Sequence, residues 1–227
     1  RKHGVTREEQ DRFAYESHRK AVAAIQAGAF VEEIVPVDVP QKKGAVRVDT
    51  DEGPRADTTV EALAGLKPAF QDSGTVTAGN ASSINDGAAA TLVMSAAAAA
   101  RCGLRPLARI TGYASAAIEP RWLFDAPVGA VRRLLERTGK KLDDFDLIEV
   151  NEAFAAQTLA NGKVLEWDWE KVNVKGGAIA LGHPIGASGT RILVTLLYSL
   201  RQRGLKRGLA VICHGGGGAA ALSVERD

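Results

Sequence analysis

Apolar and polar positions along the chain follow two periods, one helical and one extended. Thr6-Arg7-Glu8-Glu9 reads as a capping box, with Thr at the N-cap and Glu three positions later. The helix it opens carries Phe13, Ala21, Val22 and Ile25 on a 3.6-residue period and is predicted to stop at Gly28. Residues 31–39 tend toward a strand through Val31, Ile34, Val35 and Val37, broken by Pro36 and Pro40. From Gln41 to Lys67 the pattern is polar and punctuated, predicting loop and short elements. Asn85-Asp86 is predicted to cap an alanine-rich helix running to about Arg101 and ended by Gly103. A strand is expected over Arg109 to Ala117. An amphipathic helix is expected over Pro127 to Arg137, with Val131, Leu134 and Leu135 inward and Gly139 closing it.

The last third repeats one arrangement. Asp146 to Val150 reads as a strand ending at Asn151-Glu152, followed by a helix from about Ala153. Val172 to Val174 reads as a short strand ending in Gly176-Gly177, leading through His183 to a helix from Ser188, the expected N-cap, to about Arg203. Leu209 to Ile212 reads as a strand ending at Cys213-His214-Gly215, followed by another strand, Ala219 to Val224. Alternating strands and helices predict an α/β fold, a sheet layered with helices.

Composition narrows the field. The chain has 227 residues, 45% hydrophobic and 25% charged, which is ordinary for a globular protein and unlike a disordered one. No run of about 18 uninterrupted apolar residues is present, so no membrane span is expected. A net charge of +2 argues against a nucleic-acid surface. Two cysteines, Cys102 and Cys213, 111 positions apart, make neither a disulfide framework nor a zinc cluster and suit a reducing compartment. The chain opens Arg1-Lys2-His3 without Met, signal peptide or transit pattern, and is read as a piece of something longer. It ends Val224-Glu225-Arg226-Asp227, which is not a peroxisomal address, leaving the cytoplasm as the default location.

The 24 glycines cluster at 176–189 and 215–218, where backbone is expected to approach something closely. Sites in open α/β sheets gather at the carboxyl ends of strands. Asn151, His183 in its glycine-rich loop, and Cys213 occupy such places. Each also has a plain reading: Asn151 as a helix N-cap, His183 as a turn residue, Cys213 as buried filler. Together they suit acyl transfer or enolate chemistry, with a Cys–His pair for proton transfer and glycine N–H groups as an oxyanion hole. Gly177 and Gly182 have the spacing of a P-loop, but His183-Pro184 replaces its Lys-Ser/Thr. Gly215-x-Gly217-x-x-Ala220 mimics a dinucleotide fingerprint but leads into a strand-like run.

These segments resemble the thiolase family. Asn151-Glu152-Ala153-Phe154 is similar to its NEAF segment, and Gly182-His183-Pro184 within 176–189 to its GHP segment. Cys213 with Gly215 to Gly217 resembles its C-terminal Cys-x-Gly-Gly-Gly segment, and 77–87 its coenzyme A-contacting segment. Asn151 and His183 lie 32 positions apart, and His183 and Cys213 lie 30 apart, which also suits the family. The resemblance covers the whole chain and implies a thiolase-like fold of layered helices and sheets. It implies the C-terminal half plus the end of the loop domain: residues 1–84 closing the loop domain that covers coenzyme A, 85–107 returning to the N-terminal domain, and 108–227 forming the C-terminal domain.

It also implies roles. Cys213 moves the α-proton of an acyl-CoA. His183 activates a nucleophilic Cys and helps bind the thioester oxygen. Asn151 holds a water that completes that oxyanion hole, and the Gly215 N–H serves a second one. Arg55, Phe70, Ala78, Ser82 and Phe154 are the implied coenzyme A contacts. The implied substrates are coenzyme A thioesters, with no bound cofactor or metal. The implied reaction is Claisen condensation of two acyl-CoA molecules or its reverse, thiolysis. The half bearing the nucleophilic Cys is absent from this chain, and Cys102 lacks the context to replace it. That half is therefore an expected partner, in the same or another chain, and a homo-oligomer (dimer or tetramer) is expected by family.

Two rival readings remain at this stage: a degradative 3-ketoacyl-CoA thiolase of broader chain length, and a non-catalytic split half that binds a partner or coenzyme A. Three departures from the family pattern stand out. Lys175 replaces the usual Asn, His214 replaces the commoner Ile or Asn, and Arg121-Trp122-Leu123-Phe124 occupies a stretch where short-chain members carry Met. Arg132, Arg133, Arg137, Lys140 and Lys141 read as a solvated helix face.

Overall fold

The computed structural model describes residues 2–227, which divide into two compact units. The first comprises the chain up to Ile84 together with Glu152–Ala156 and Lys175–His183. Its backbone is the helix α1, Arg7–Gln26, and the expected capping box is formed in full: Glu9 N–H donates to Thr6 Oγ1 at 3.2 Å, and Thr6 N–H to Glu9 Oε2 at 2.7 Å. The inward face keeps Ala21 of the apolar period but is otherwise mostly polar. Gln10, Asp11, Ala14, Ser17, His18 and Ala21 are buried, whereas Phe13, Val22 and Ile25 are only partly covered. The buried stripe is largely polar because its side chains bind loops. Asp11 Oδ1 accepts from Asn80 Nδ2 at 2.9 Å, and Arg7, paired with Asp11 at 2.7 Å, donates to the carbonyl of Leu63 at 2.8 Å. Ala14, Leu63, Ala155 and Ile179 form the small apolar core beside it.

The expected strand over 31–39 starts later. Turns continue past α1 through Glu33, and a hairpin then forms from β1, Val37–Gln41, and β2, Gly44–Val48, after Pro36, which has no N–H for a ladder. The short helix α2, Val60–Ala64, follows within the punctuated stretch.

The second unit comprises Asn85–Asn151, Gln157–Val174 and Pro184–Asp227. The long alanine-rich helix is not formed. Residues 85–95 are neither helix nor strand, and only α3, Ala96–Arg101, is helical, capped by Ser95 Oγ accepting from Ala98 N–H at 3.2 Å. Leu92 and Val93 are 79% and 67% exposed, and alanine propensity alone does not hold a short helix without tertiary cover.

A four-stranded mixed sheet forms the centre of this unit, ordered β3-β6-β5-β4. Its strands are β3, Arg109–Ala117; β4, Leu147–Val150; β5, Arg207–His214; and β6, Gly218–Glu225. β6 lies antiparallel between β3 and β5, and β4 runs parallel to β5. Helix α4, Ala126–Thr138, covers one face and ends at Gly139 in the left-handed conformation, as the amphipathic pattern predicts. Val131 and Leu134 meet Ile148, Val150, Leu209 and Val211 there.

Helix α5, Ala155–Leu165, and the four-residue α6, Ala178–Leu181, precede α7, Ser188–Gln202. α7 covers the other face through Ile192, Leu196 and Leu200 against Leu147, Ala210 and Val224. Ser188 is the first helical residue rather than the cap, because its hydroxyl donates back to Pro184 O at 3.0 Å.

The expected strand 172–174 shrinks to a bridge between Val172 and Ile148. Asn173 turns out of extended geometry at φ +44°, and its side chain takes over the pairing. Oδ1 accepts from Val150 N–H at 2.8 Å and Nδ2 donates to Val150 O at 2.9 Å. Of the basic run on α4, Arg133 and Arg137 donate to the carbonyls of Ser115 and Tyr113 on edge strand β3, blunting that edge as well as facing solvent.

Leu134, fully buried between α4 and the sheet, is the packing test of this unit. Leu134→Ala is expected to destabilise it by about 2–5 kcal/mol in chemical denaturation.

Candidate active site

Parallel pairing of β4 with β5 brings two of the marked residues to one sheet edge. Val150 is in register with Val211, and Asn151 N–H donates to Val211 O at 2.9 Å. Asn151 is fully buried just past the end of β4, and Cys213, 8% exposed, is the penultimate residue of β5. Neighbouring strands are about 4.8 Å apart, so both residues stand at the same carboxyl edge. Burial pushes the Cys213 thiol pKa up, and a backbone hydrogen bond opposes this less strongly.

The next residues make a tight turn into β6. Gly216 and Gly217 have φ +81° and +88°, and a side chain on Gly217 would meet Ile118 O at 2.3 Å. His214 does not act on the Cys213 thiol. Its ring lies over Gly218, its Nδ1 is 3.0 Å from Gly215 O, and successive strand residues point to opposite faces. Gly215 itself is exposed.

His183 lies in the first unit, at the end of a segment whose backbone is held at several points. Lys175 is buried, donates to Ala29 O at 2.8 Å, lies 3.7 Å from Glu33 Oε1 and stands 5.1 Å over the Phe30 ring. The replacement that departs from the family pattern is thus an anchor to the turn after α1. Gly177 N–H donates to Ser17 Oγ at 3.0 Å, and Ile179 N–H to Glu152 Oε2 at 3.1 Å. Ser17 Oγ donates to the same Glu152 oxygen at 2.7 Å. His183 N–H donates to Ser83 O at 3.0 Å, and His183 bridges Ile84 in parallel.

Four of the five residues marked for coenzyme A lie along one stretch of the first unit. Ser82 donates to Ala153 O through both N–H, at 3.1 Å, and Oγ, at 3.0 Å, and Ala81 bridges Phe154. Phe154 meets Phe70 edge-to-face at 6.1 Å, while Phe70 remains 72% exposed. Ala78 is exposed between the buried Thr77 and Asn80. Arg55 lines a different feature, a cleft of about 230 Å³ with Tyr15, His18, Arg19 and Thr58. There its N–H donates to His18 Nδ1 at 3.1 Å.

Sequence reasoning did not mark Ser17, His18 and Glu152, whose side chains hold backbone amides of this unit. The available signal was that Gln10, Asp11, Ser17 and His18 share a helical face with Ala14 and Ala21. Among the described residues, no group of three or more His, Cys, Asp or Glu side chains is placed to hold a metal, and no helix is long and apolar enough to cross a membrane.

The family model described as Thiolase, C-terminal domain matches residues 104–226, and that described as Thiolase, N-terminal domain matches 1–97. The chain therefore carries sequence of both domains, which corrects the expectation of a C-terminal part only. It is 61% identical over 227 residues to an acetyl-CoA acetyltransferase of Pseudomonas aeruginosa and 56% to a probable acetyl-CoA acetyltransferase of Escherichia coli. In both cases it spans all of this chain and 58% of the relative's length. The acetyl-CoA acetyltransferase structure from Bacillus anthracis superposes with TM-score 0.96 at 51% identity, covering 97% of this chain and 56% of that one. The human mitochondrial 3-ketoacyl-CoA thiolase does so with TM-score 0.93 at 41% identity, covering 100% and 57%.

Burial, with the nearby Arg55 charge second, lowers the pKa of His18 below the ordinary 6.5. The fold therefore favours neutral imidazole. As pH falls below 6.5 the unfolded chain takes the proton first, and stability drops toward the lowered folded value. Thermal melts between pH 7.5 and 5.5 are expected to show this loss, with a slope of at most about 1.4 kcal/mol per pH unit for one proton. His18→Gln flattens it.

Proposed function

The chain belongs to the thiolase family, and on that premise we propose that the protein carrying it transfers acyl groups between coenzyme A thioesters. The reaction is reversible Claisen condensation of two acyl-CoA molecules, run backwards as thiolysis of a 3-ketoacyl-CoA. The nucleophilic Cys comes from a part outside this chain, which spans 58% of the acetyltransferase from Pseudomonas aeruginosa. We assign residues 1–84 to the end of the loop domain covering coenzyme A, 85–107 to the returning part of the N-terminal domain, and 108–227 to the C-terminal domain.

One observation carries the reading: a buried thiol, Cys213, at the carboxyl edge of a mixed sheet, beside Asn151 and leading into a turn of glycines. In thiolysis the C2–C3 bond of the 3-ketoacyl-CoA breaks and its electron pair becomes the enolate of acetyl-CoA. A thiol whose pKa is raised by burial holds its proton at neutral pH, so Sγ donates it to that carbon. The thiol of the incoming coenzyme A, as it attacks the acyl-enzyme, supplies the proton that restores Cys213. In condensation the same thiolate removes the α-proton.

An α-proton of a thioester is too weak an acid to leave without donors aimed at the developing oxyanion. Gly215 N–H fills that role for the enolate. His183 with a water on Asn151 does so for the other thioester oxygen, and His183 also activates the nucleophile. Ala78, Ser82 and Phe154 receive the pantetheine arm, and Arg55 the nucleotide end, with Phe70 as a further coenzyme A contact. Two half-exposed rings, Trp122 and Phe124, in the turn Pro120–Asp125 favour a second reading with longer acyl chains. Comparing kcat/KM for acetoacetyl-CoA and 3-ketohexanoyl-CoA separates the two.

Cys213→Ala in the intact protein is expected to lower kcat for thiolysis by about 10²–10⁴-fold while leaving the melting transition in place. Turnover near that of the unmodified protein removes the assignment.

A further inference from the structure

We propose that Ser17 and Glu152 are positioning residues for His183, acting as one hydrogen-bonded unit; the inference rests on the function proposed above. Both side chains are buried, at 3% and 1% exposure. A single oxygen, Glu152 Oε2, accepts from Ser17 Oγ at 2.7 Å and from Ile179 N–H at 3.1 Å. Ser17 Oγ in turn accepts from Gly177 N–H at 3.0 Å. Two backbone amides of the segment that leads to His183 are thereby fixed to α1.

The packing around this unit leaves no slack. A Cβ on Gly177 would lie 2.2–2.6 Å from the Glu152 carboxyl, and one on Gly176 would lie 2.4 Å from Ser17 O and 2.9 Å from the Ala21 backbone. The second anchored amide, Ile179, lies inside the single turn of α6, after which Gly182 takes φ +93° and His183 follows. Three residues separate Ile179 from His183, so a shift at the anchor reaches the imidazole with little chain to absorb it. Neither residue need touch substrate. Their effect is on where His183 sits, and a misplacement of about 1 Å at a reacting group costs up to about 10²-fold in rate.

The test uses the intact protein with Ser17→Ala, Glu152→Gln and the double variant. Thiolysis of acetoacetyl-CoA is measured over pH together with amide hydrogen exchange at Gly177 and Ile179. The expected result has four parts: kcat falls by about 10–10²-fold with KM within about threefold, exchange at both amides quickens, exchange in the β5 sheet core is unchanged, and the double variant is no worse than the poorer single one. Quickened exchange with an unchanged kcat and pH profile would make the unit scaffolding and overturn the proposal. Unchanged exchange in both folded variants overturns it as well. Should one variant fail to fold, the other decides alone. If the unmodified protein shows no thiolysis, the acyl-transfer reading falls. Exchange then decides: quickening upholds the anchoring of the His183 segment, and no change overturns it.

Discussion

A carboxyl group 1% exposed has to find its hydrogen bonds inside the protein, because leaving them unmade costs more than the bonds themselves contribute. Glu152 finds them on Ser17 and on the amide of Ile179, and much of the first unit is arranged to allow it. Gly177 has no room for a side chain beside that carboxyl. α1 has to present a small hydroxyl, and the neighbouring Asp11 and His18 on the same stripe bind the Asn80 and Arg55 loops. Polar groups are inside this unit because they hold its loops in place.

The second unit solves the opposite problem. Its sheet is sandwiched by apolar faces of α4 and α7, and branched aliphatic side chains fill both layers. Such packing is non-directional, so it fixes the strand ends only as well as the ladders do. Asn173 sharpens the edge. Its amide side chain pairs with both backbone groups of Val150, immediately before Asn151, and does the work of a missing strand. Cys213 gains its raised pKa from the same dry surroundings.

How much of this was legible follows from which physics wrote each part. α4, β5 and β6 were readable because an amphipathic period or an apolar run reports a sheet covered by helices, and β3 was readable as an extended run although much of it is exposed. Among the marked residues, Asn151 and Cys213 were readable as strand ends, and the structure puts both at one sheet edge of the second unit. Two errors came from trusting local propensity. The alanines of 85–95 lack cover, and the valines after α1 wait for Pro36 before pairing. The polar residues on the inward face of α1 went unmarked because hydrophobic periodicity cannot see a stripe buried for its hydrogen bonds. Lys175 and His214 were visible as oddities, yet only their surroundings show one as an anchor and the other as the last strand residue, its ring 3.0 Å from the carbonyl of Gly215.

The polar stripe of α1 makes that helix a ruler as well as a wall. An apolar face tolerates sliding, since one methyl group replaces another at similar energy. Directed bonds do not. Moving α1 by one residue would turn its face by about 100° and carry it about 1.5 Å along its axis, so that the bonds of Asp11, Ser17 and His18 would fail together. The helix therefore has one register, stated three times along its length, and that redundancy of address lets segments distant in sequence find the same place on every molecule.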